Sequence, residues 1–145
     1  MEDKIKAYGI CLYKIDSTNI KILLCKSVKS KNRWGFVKGV QHKEESKKET
    51  AVREFLEESS ILIEYKYLEE YFEQKNDMKD IGIFLVNYDN IKDIKKYFED
   101  DILKDNFLCS ENSEIKFFNL KNIEYMKKKQ LNILEDIIKY FKKGN

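Results

Sequence analysis

The sequence contains no proline and only five glycines, and no repeat, low-complexity tract or linker interrupts its 145 residues. Histidine is almost missing. His42 is the only one, which argues against His-built metal clusters and against most Ser–His or Cys–His nucleophilic sites. The three cysteines, Cys11, Cys25 and Cys109, are odd in number and lack the spacing of a metal clip. Cys11 and Cys25 sit inside apolar runs and read as buried, reduced thiols, which suits a reducing compartment. No apolar run approaches the roughly 20 residues needed to cross a bilayer. Residues 1–4 open no signal-peptide core. A cytoplasmic location without a membrane partner is therefore expected. Excess charge of one sign is absent too. Charged residues make up 37% of the chain, yet the net charge is +2, too weak for a strong nucleic-acid footprint.

What is present suits one globular domain spanning residues 1–145, with 42% hydrophobic and 13% aromatic residues to build a core. Residues 6–14 and 20–25 read as strands joined by the turn formers of 15–19, as in a hairpin. A polar loop leads to Trp34, Gly35 and Phe36, a short strand ending at Lys38 and Gly39. Residues 46–59 predict a helix opened by the Ser46/Glu49 capping box, with Ala51, Val52, Phe55 and Leu56 on one face. Strands are expected over 60–72, 81–88 and 114–120. Residues 90–105 are ambiguous, with Ile94, Tyr97 and Phe98 placed to line a short helix. Residues 121–143 read as helical, with a core stripe of Ile133, Leu134, Ile137, Ile138 and Phe141. Lys127, Lys128 and Lys129 read as a solvated helix face, or as a weak attraction for phosphates. The pattern is α/β, with helices packed on a mixed sheet.

The helix over 46–59 carries the chemistry. Glu54, Glu57 and Glu58 fall at i, i+3 and i+4, so three carboxylates crowd one face and repel each other. Arg53 stands four residues before Glu57 and can pair with one of them, but one guanidinium cannot neutralise three acids. A hard divalent cation such as Mg²⁺ takes oxygen ligands and keeps waters that substrate phosphates replace. Taken alone, such a face reads first as solvated surface. The residues before it add to the pattern. Gly39 lets backbone come close, Lys38 offers a point charge to phosphate, and Glu45 lies near the helix N-terminus.

Residues 39–61, GVQHKEESKKETAVREFLEESSI, resemble the 23-residue box of the Nudix hydrolases, G-x5-E-x7-R-E-U-x-E-E-x-G-U, where U is a bulky apolar residue. Gly39, Glu45, Arg53, Glu54, Glu57, Glu58 and Ile61 match in register, and Phe55 matches loosely. Ser60 departs from the glycine that would supply a left-handed residue at the helix end. It should cost about 1 kcal/mol or bend the exit differently. The strands, central helix and C-terminal helix are similar to the Nudix α/β/α sandwich, a mixed β-sheet between helices.

The resemblance implies a hydrolase of phosphoric anhydrides. Glu54, Glu57 and Glu58, with the Gly39 carbonyl, would hold Mg²⁺ or Mn²⁺; Arg53 would orient the glutamates and Glu45 would be structural. The general base would come from the helix or from a later loop. Glu111, six residues before Phe117, has the spacing of a late acidic position in several Nudix subfamilies. It is the first candidate for a fourth metal ligand or base, and Glu114 is the second. Residues 34–39, WGFVKG, resemble a W-x-F-P-K-G pattern of diadenosine tetraphosphate hydrolases and mRNA decapping enzymes, with Val37 in place of proline. Lys38 would then reach the phosphate chain, and Trp34 would either pack in the core or help shape the substrate site. Tyr8, Tyr71, Phe72 and Phe84 are all placed to stack a base, and the sequence does not choose among them. A dinucleoside polyphosphate is the expected substrate. An RNA 5′ end and a non-catalytic nucleotide-binding module are the alternatives, and the protein is expected as a monomer or homodimer.

Overall fold

The computed structural model describes residues 4–30 and 32–143; the leader reading of residues 1–3 lies outside them. Strand β1 (Ile5–Asp16) turns through Ser17, whose φ is 59°, into β2 (Asn19–Ser27). The hairpin foreseen from the alternation is present and longer at both ends. Then follow β3 (Val37–Val40), α1 (Lys47–Ser59), β4 (Tyr71–Lys75) and β5 (Lys79–Asn87). Two short strands, β6 (Phe98–Glu99) and β7 (Ile102–Leu103), precede β8 (Asn112–Asn119), and α2 (Leu131–Lys142) closes the chain.

The sheet runs β4-β5-β1-β2-β8-β7-β6, with β3 as a second partner of β1. It is mixed: β1 pairs parallel with β5 and antiparallel with its other neighbours. On the side away from β5, β1 changes partner along its length. Ala7 to Ile10 pair with β3, while Tyr13 to Asp16 pair with β2. Strand alternation sorts β1 between two cores. Tyr8, Ile10 and Leu12 join Ala51, Val52 and Phe55 of α1, whereas Cys11 and Tyr13 join Ile133, Leu134 and Ile137 of α2. Each fully buried side chain such as Phe55 contributes about 1.5–3 kcal/mol. One sheet between helices on both faces is the α/β/α sandwich.

Four local readings change. Leu56 is 41% exposed, because it lies at the edge of the α1 apolar face that Ala51, Val52 and Phe55 bury. Residues 60–72 are not one strand. Ile61 and Ile63 are buried and Leu62 is exposed, but this alternation packs under α1 without a partner strand, and a 3-10 turn at Tyr65–Tyr67 precedes β4. The ambiguous stretch holds a 3-10 turn, Ile94–Tyr97, and the β6–β7 hairpin. Asp100 (φ 52°) and Asp101 (φ 67°) make its left-handed turn, and the Asp101 carboxylate is tied down by Lys14 and Lys21. The last helix starts at Leu131, because Met126 forms a parallel bridge to Trp34 and holds the preceding backbone extended.

Candidate active site

Helix α1 begins as its sequence dictates. Ser46 Oγ accepts from the Glu49 amide at 3.0 Å, and Glu49 Oε1 accepts from the Ser46 amide at 2.7 Å. This fixes the frame in which Arg53 meets its acids. Its Nε donates to Glu45 Oε2 at 2.6 Å and Nη2 donates to Glu45 Oε1 at 3.0 Å, a two-pronged pair. Nη1 donates to Glu54 at 2.9 Å and to Glu57 at 3.2 Å, and Nη2 also reaches the Val40 carbonyl at 3.0 Å. The Arg53 hydrogen bonds, first among several causes, hold the Glu45 carboxyl at about 2, well below its usual range. Thr50 and the His42 amide donate to the same carboxylate. Glu45 is thus the brace that aims Arg53.

Glu58 points the other way, into the protein. It is 8% exposed, and Asn112 Nδ2 at the start of β8 donates to its Oε1 at 2.8 Å. Burial, partly countered by Asn112 and reinforced by the neighbouring Glu54, raises its pKa above the usual carboxylate range. Gly39 of β3 lies directly against Glu54: a Cβ there would overlap the Glu54 carboxylate. Glycine is needed here for room. Close backbone and two crowded carboxylates suit a hard divalent ion.

A cleft of about 440 Å³ gathers Gly39, Glu54, Glu58, Glu111 and Lys38. Its walls come from β3, α1, the end of β2 and the start of β8. Glu111 is exposed at its rim, and its carbonyl accepts from the Val28 amide at 2.9 Å. Burial, then the charges of Lys79 and Lys127, push the Lys38 ammonium down to about 8. Cys25 also lines the cleft, and burial pushes its thiol up to about 12, so it is neutral and no nucleophile.

Other candidates fall elsewhere. Glu57 is on the Arg53 side, its side chain 56% exposed, and among the described residues no three His, Cys, Asp or Glu side chains close around one point. Glu114 pairs across β8 from Lys26, outside the cleft lining. Trp34 is in the α2-side core, edge-on to Phe118 at 4.6 Å, and does not line the cleft either. Of the aromatics considered for stacking, Tyr8, Tyr71 and Phe84 pack on the α1 side and Phe72 on the α2 side. The sequence reading missed Asn112, whose link to Glu58 spans 54 positions, and Gln130, which lines the cleft and accepts from the Phe36 amide at 2.7 Å. It also placed Lys127 on a helix face, whereas Lys127 precedes α2 and lines the cleft.

The family model of the NUDIX domain matches residues 4–141. The chain belongs to the Nudix family. The enzyme class read from the box, a hydrolase of phosphoric anhydrides, goes with that membership. Solved Nudix structures share the fold. An Ap4A hydrolase binary complex from C. elegans has a TM-score of 0.67 at 20% identity, over 97% of this chain and 99% of that one. A MutT/nudix family protein from Enterococcus faecalis has 0.61 at 18% identity, over 82% of this chain and 45% of that one. A bifunctional NMN adenylyltransferase/ADP ribose pyrophosphatase from Francisella tularensis, complexed with AMP and a Mn ion, has 0.66 at 16%, over 97% of this chain and 42% of that one. The chain therefore spans less than half the length of the last two. No curated protein matches the sequence. No helix among the described residues is long and apolar enough to cross a membrane.

Proposed function

We propose that this Nudix domain is a Mg²⁺-dependent pyrophosphohydrolase, with Mn²⁺ as a substitute, that cleaves dinucleoside polyphosphates such as diadenosine tetraphosphate. The observation that carries the reading is one cleft lined together by Glu54, Glu58, Glu111, Gly39 and Lys38. The name of the C. elegans protein, whose whole length this chain covers, supports the same substrate. Glu54, Glu57 and Glu58 with the Gly39 carbonyl are the metal ligands of this proposal, and of the two roles open to Glu111, fourth carboxylate ligand or general base, it takes that of the base. The ion supplies charge neutralisation for the phosphates and acidifies water.

The chain's own groups do the rest. Arg53 fixes the Glu54 and Glu57 carboxylates, and Asn112 fixes Glu58. Lys38 binds a phosphate oxygen and opposes the charge that builds on it. Glu111 takes a proton from a water that attacks one phosphorus in line with the P–O bond that breaks. The leaving phosphate keeps the electron pair of that bond. Trp34 supports this site from the core, by holding the strand that carries Lys38. The domain works as a single unit in a reducing, cytosol-like compartment where its three cysteines remain thiols.

The test is a substrate panel with Mg²⁺: diadenosine tetraphosphate, ADP-ribose, nucleoside triphosphates and RNA with a capped or triphosphorylated 5′ end. Fastest turnover of diadenosine tetraphosphate, releasing AMP and ATP, is expected. Preferred turnover of the RNA ends would replace this substrate with the alternative one. Binding without hydrolysis across the panel would make the domain a nucleotide-binding module.

A further inference from the structure

The cleft is lined by side chains of both signs, and its lysines lie outside the family box. Besides Glu54, Glu58 and Glu111, the lining includes Lys29, Lys38 and Lys127. None of these three ammonium groups has a carboxylate partner among the ion pairs of the described residues, although the chain carries 26 Asp and Glu. Unpaired cations gathered around one cleft repel each other, and an anion offsets that cost.

Lys127 is held in position from both sides. Its amide donates to the Trp34 carbonyl at 2.9 Å, and its carbonyl accepts from the Gln130 amide at 3.0 Å. The neighbouring bonds, Trp34 amide to Tyr125 carbonyl at 2.9 Å and Phe36 amide to Gln130 Oε1 at 2.7 Å, lash residues 125–130 to the segment that leads into β3 and Lys38. Buried Met126 locks the register. A side chain whose backbone is fixed this firmly loses little further freedom when it grips a ligand. Lys79 and Lys129 extend the positive field behind it: burial, then the charges of Lys127 and Lys129, hold the Lys79 ammonium below its usual range.

We propose that Lys127 and Lys29 select substrates by phosphate-chain length, gripping a third or later phosphate while the glutamates, with their cation, hold the pair to be cleaved. This rests on the hydrolase reading above. A two-phosphate substrate engages the glutamates and Lys38 alone. A chain of three or more phosphates engages Lys127 and Lys29 as well, whether it belongs to a dinucleoside polyphosphate or to an RNA 5′ end.

The test separates this from the hydrolase reading, because its first arm involves no turnover. Calorimetry of the Mg²⁺-loaded protein with non-hydrolysable methylene-bridged analogues of tripolyphosphate and pyrophosphate should give tighter binding of the tripolyphosphate analogue. Lys127→Gln should weaken binding of the tripolyphosphate analogue about tenfold, the scale of one charge-assisted bond, and leave the pyrophosphate analogue within about twofold. Lys29→Gln should act in the same direction, and Lys66→Gln, on the exposed 3-10 turn, should change neither. A Lys127→Gln variant with unchanged thermal melting and unchanged preference for the tripolyphosphate analogue would overturn the proposal. The second arm compares kcat/KM for diadenosine tetraphosphate, triphosphorylated RNA and ADP-ribose. Lys127→Gln should depress the first, the second or both without touching ADP-ribose, and the polyphosphate it depresses names the source of the chain. An equal loss on all three would also overturn it.

Discussion

Asn112 Nδ2 donates to Glu58 Oε1 at 2.8 Å, joining the first residue of β8 to the last acid of the α1 face. It favours the charged form of the Glu58 carboxylate, against burial and the nearby Glu54. A buried carboxylate stripped of its donor bears the cost of the unmade bond.

Asn112→Ala should therefore destabilise the metal-free protein by about 1–3 kcal/mol, the range for an unsatisfied buried polar group. Saturating Mg²⁺ should narrow the gap, because a cation replaces the lost donor. Thermal melts of both proteins with and without Mg²⁺ check this; a gap unchanged by the ion would speak against Glu58 as a ligand.

Glu45 gives a pH-dependent prediction. Its carboxyl sits at about 2 in the folded chain, chiefly through the Arg53 hydrogen bonds, against 4.5 when unperturbed. A group with a depressed folded pKa stabilises the fold above its unfolded pKa, and that contribution disappears as pH falls through the folded value. Glu45→Gln should be less stable than the parent by about 1–2 kcal/mol at pH 7, a charge-assisted bond discounted for partial solvent exposure. The difference should hold down to about pH 4.5 and shrink between there and pH 2. Urea unfolding at several pH values measures it, and a gap that widens on acidification would contradict the assignment.

Much of this architecture is legible in local sequence because local rules produce it. The Ser46/Glu49 box fixes the start of α1, helical spacing puts Arg53 beside Glu57, and the turn formers at Ser17 and Thr18 make the first hairpin. Contacts made by tertiary structure leave no such trace. Asn112 meets Glu58 only after β8 docks on β2, and Lys127 enters the cleft only because Met126 bridges Trp34. Apolar alternation at Ile61 and Ile63 looks like a strand because it records burial; whether a neighbouring strand is there to bond the backbone is not written in it.

Ser60 shows how a departure from the family box is accommodated. It keeps the left-handed conformation, with φ 69° and ψ 6°, and its Oγ donates to the Phe107 carbonyl at 3.0 Å. The hydroxyl bond offsets a backbone cost of about 1 kcal/mol. Ser60→Ala loses the bond and keeps the strain, so it should be destabilised by about 1 kcal/mol. Ser60→Gly loses both and should stay close to the parent. Chemical denaturation of the three proteins should rank alanine lowest; alanine equal to glycine would mean that backbone conformation is not the controlling factor.

The acids also separate by where they stand. Glu57 has a side chain 56% exposed and touches Arg53 at 3.2 Å, so little of the fold depends on it. Glu57→Gln keeps its shape and removes its charge. It should abolish Mg²⁺-dependent hydrolysis while the melting temperature stays within about 2 °C of the parent, as is usual for a surface substitution. Glu111→Gln, at the exposed rim, should leave stability equally intact but lower turnover at least about tenfold, the lower scale of general-base contributions. The two variants should also differ in kind. Adding Mg²⁺ should not restore Glu111→Gln, whose lost function is proton acceptance, and its pH–rate profile should lose the acidic limb. Near-parental turnover of Glu57→Gln at saturating Mg²⁺ would remove Glu57 from the ligand set, and an unchanged pH–rate profile in Glu111→Gln would move the base to another residue.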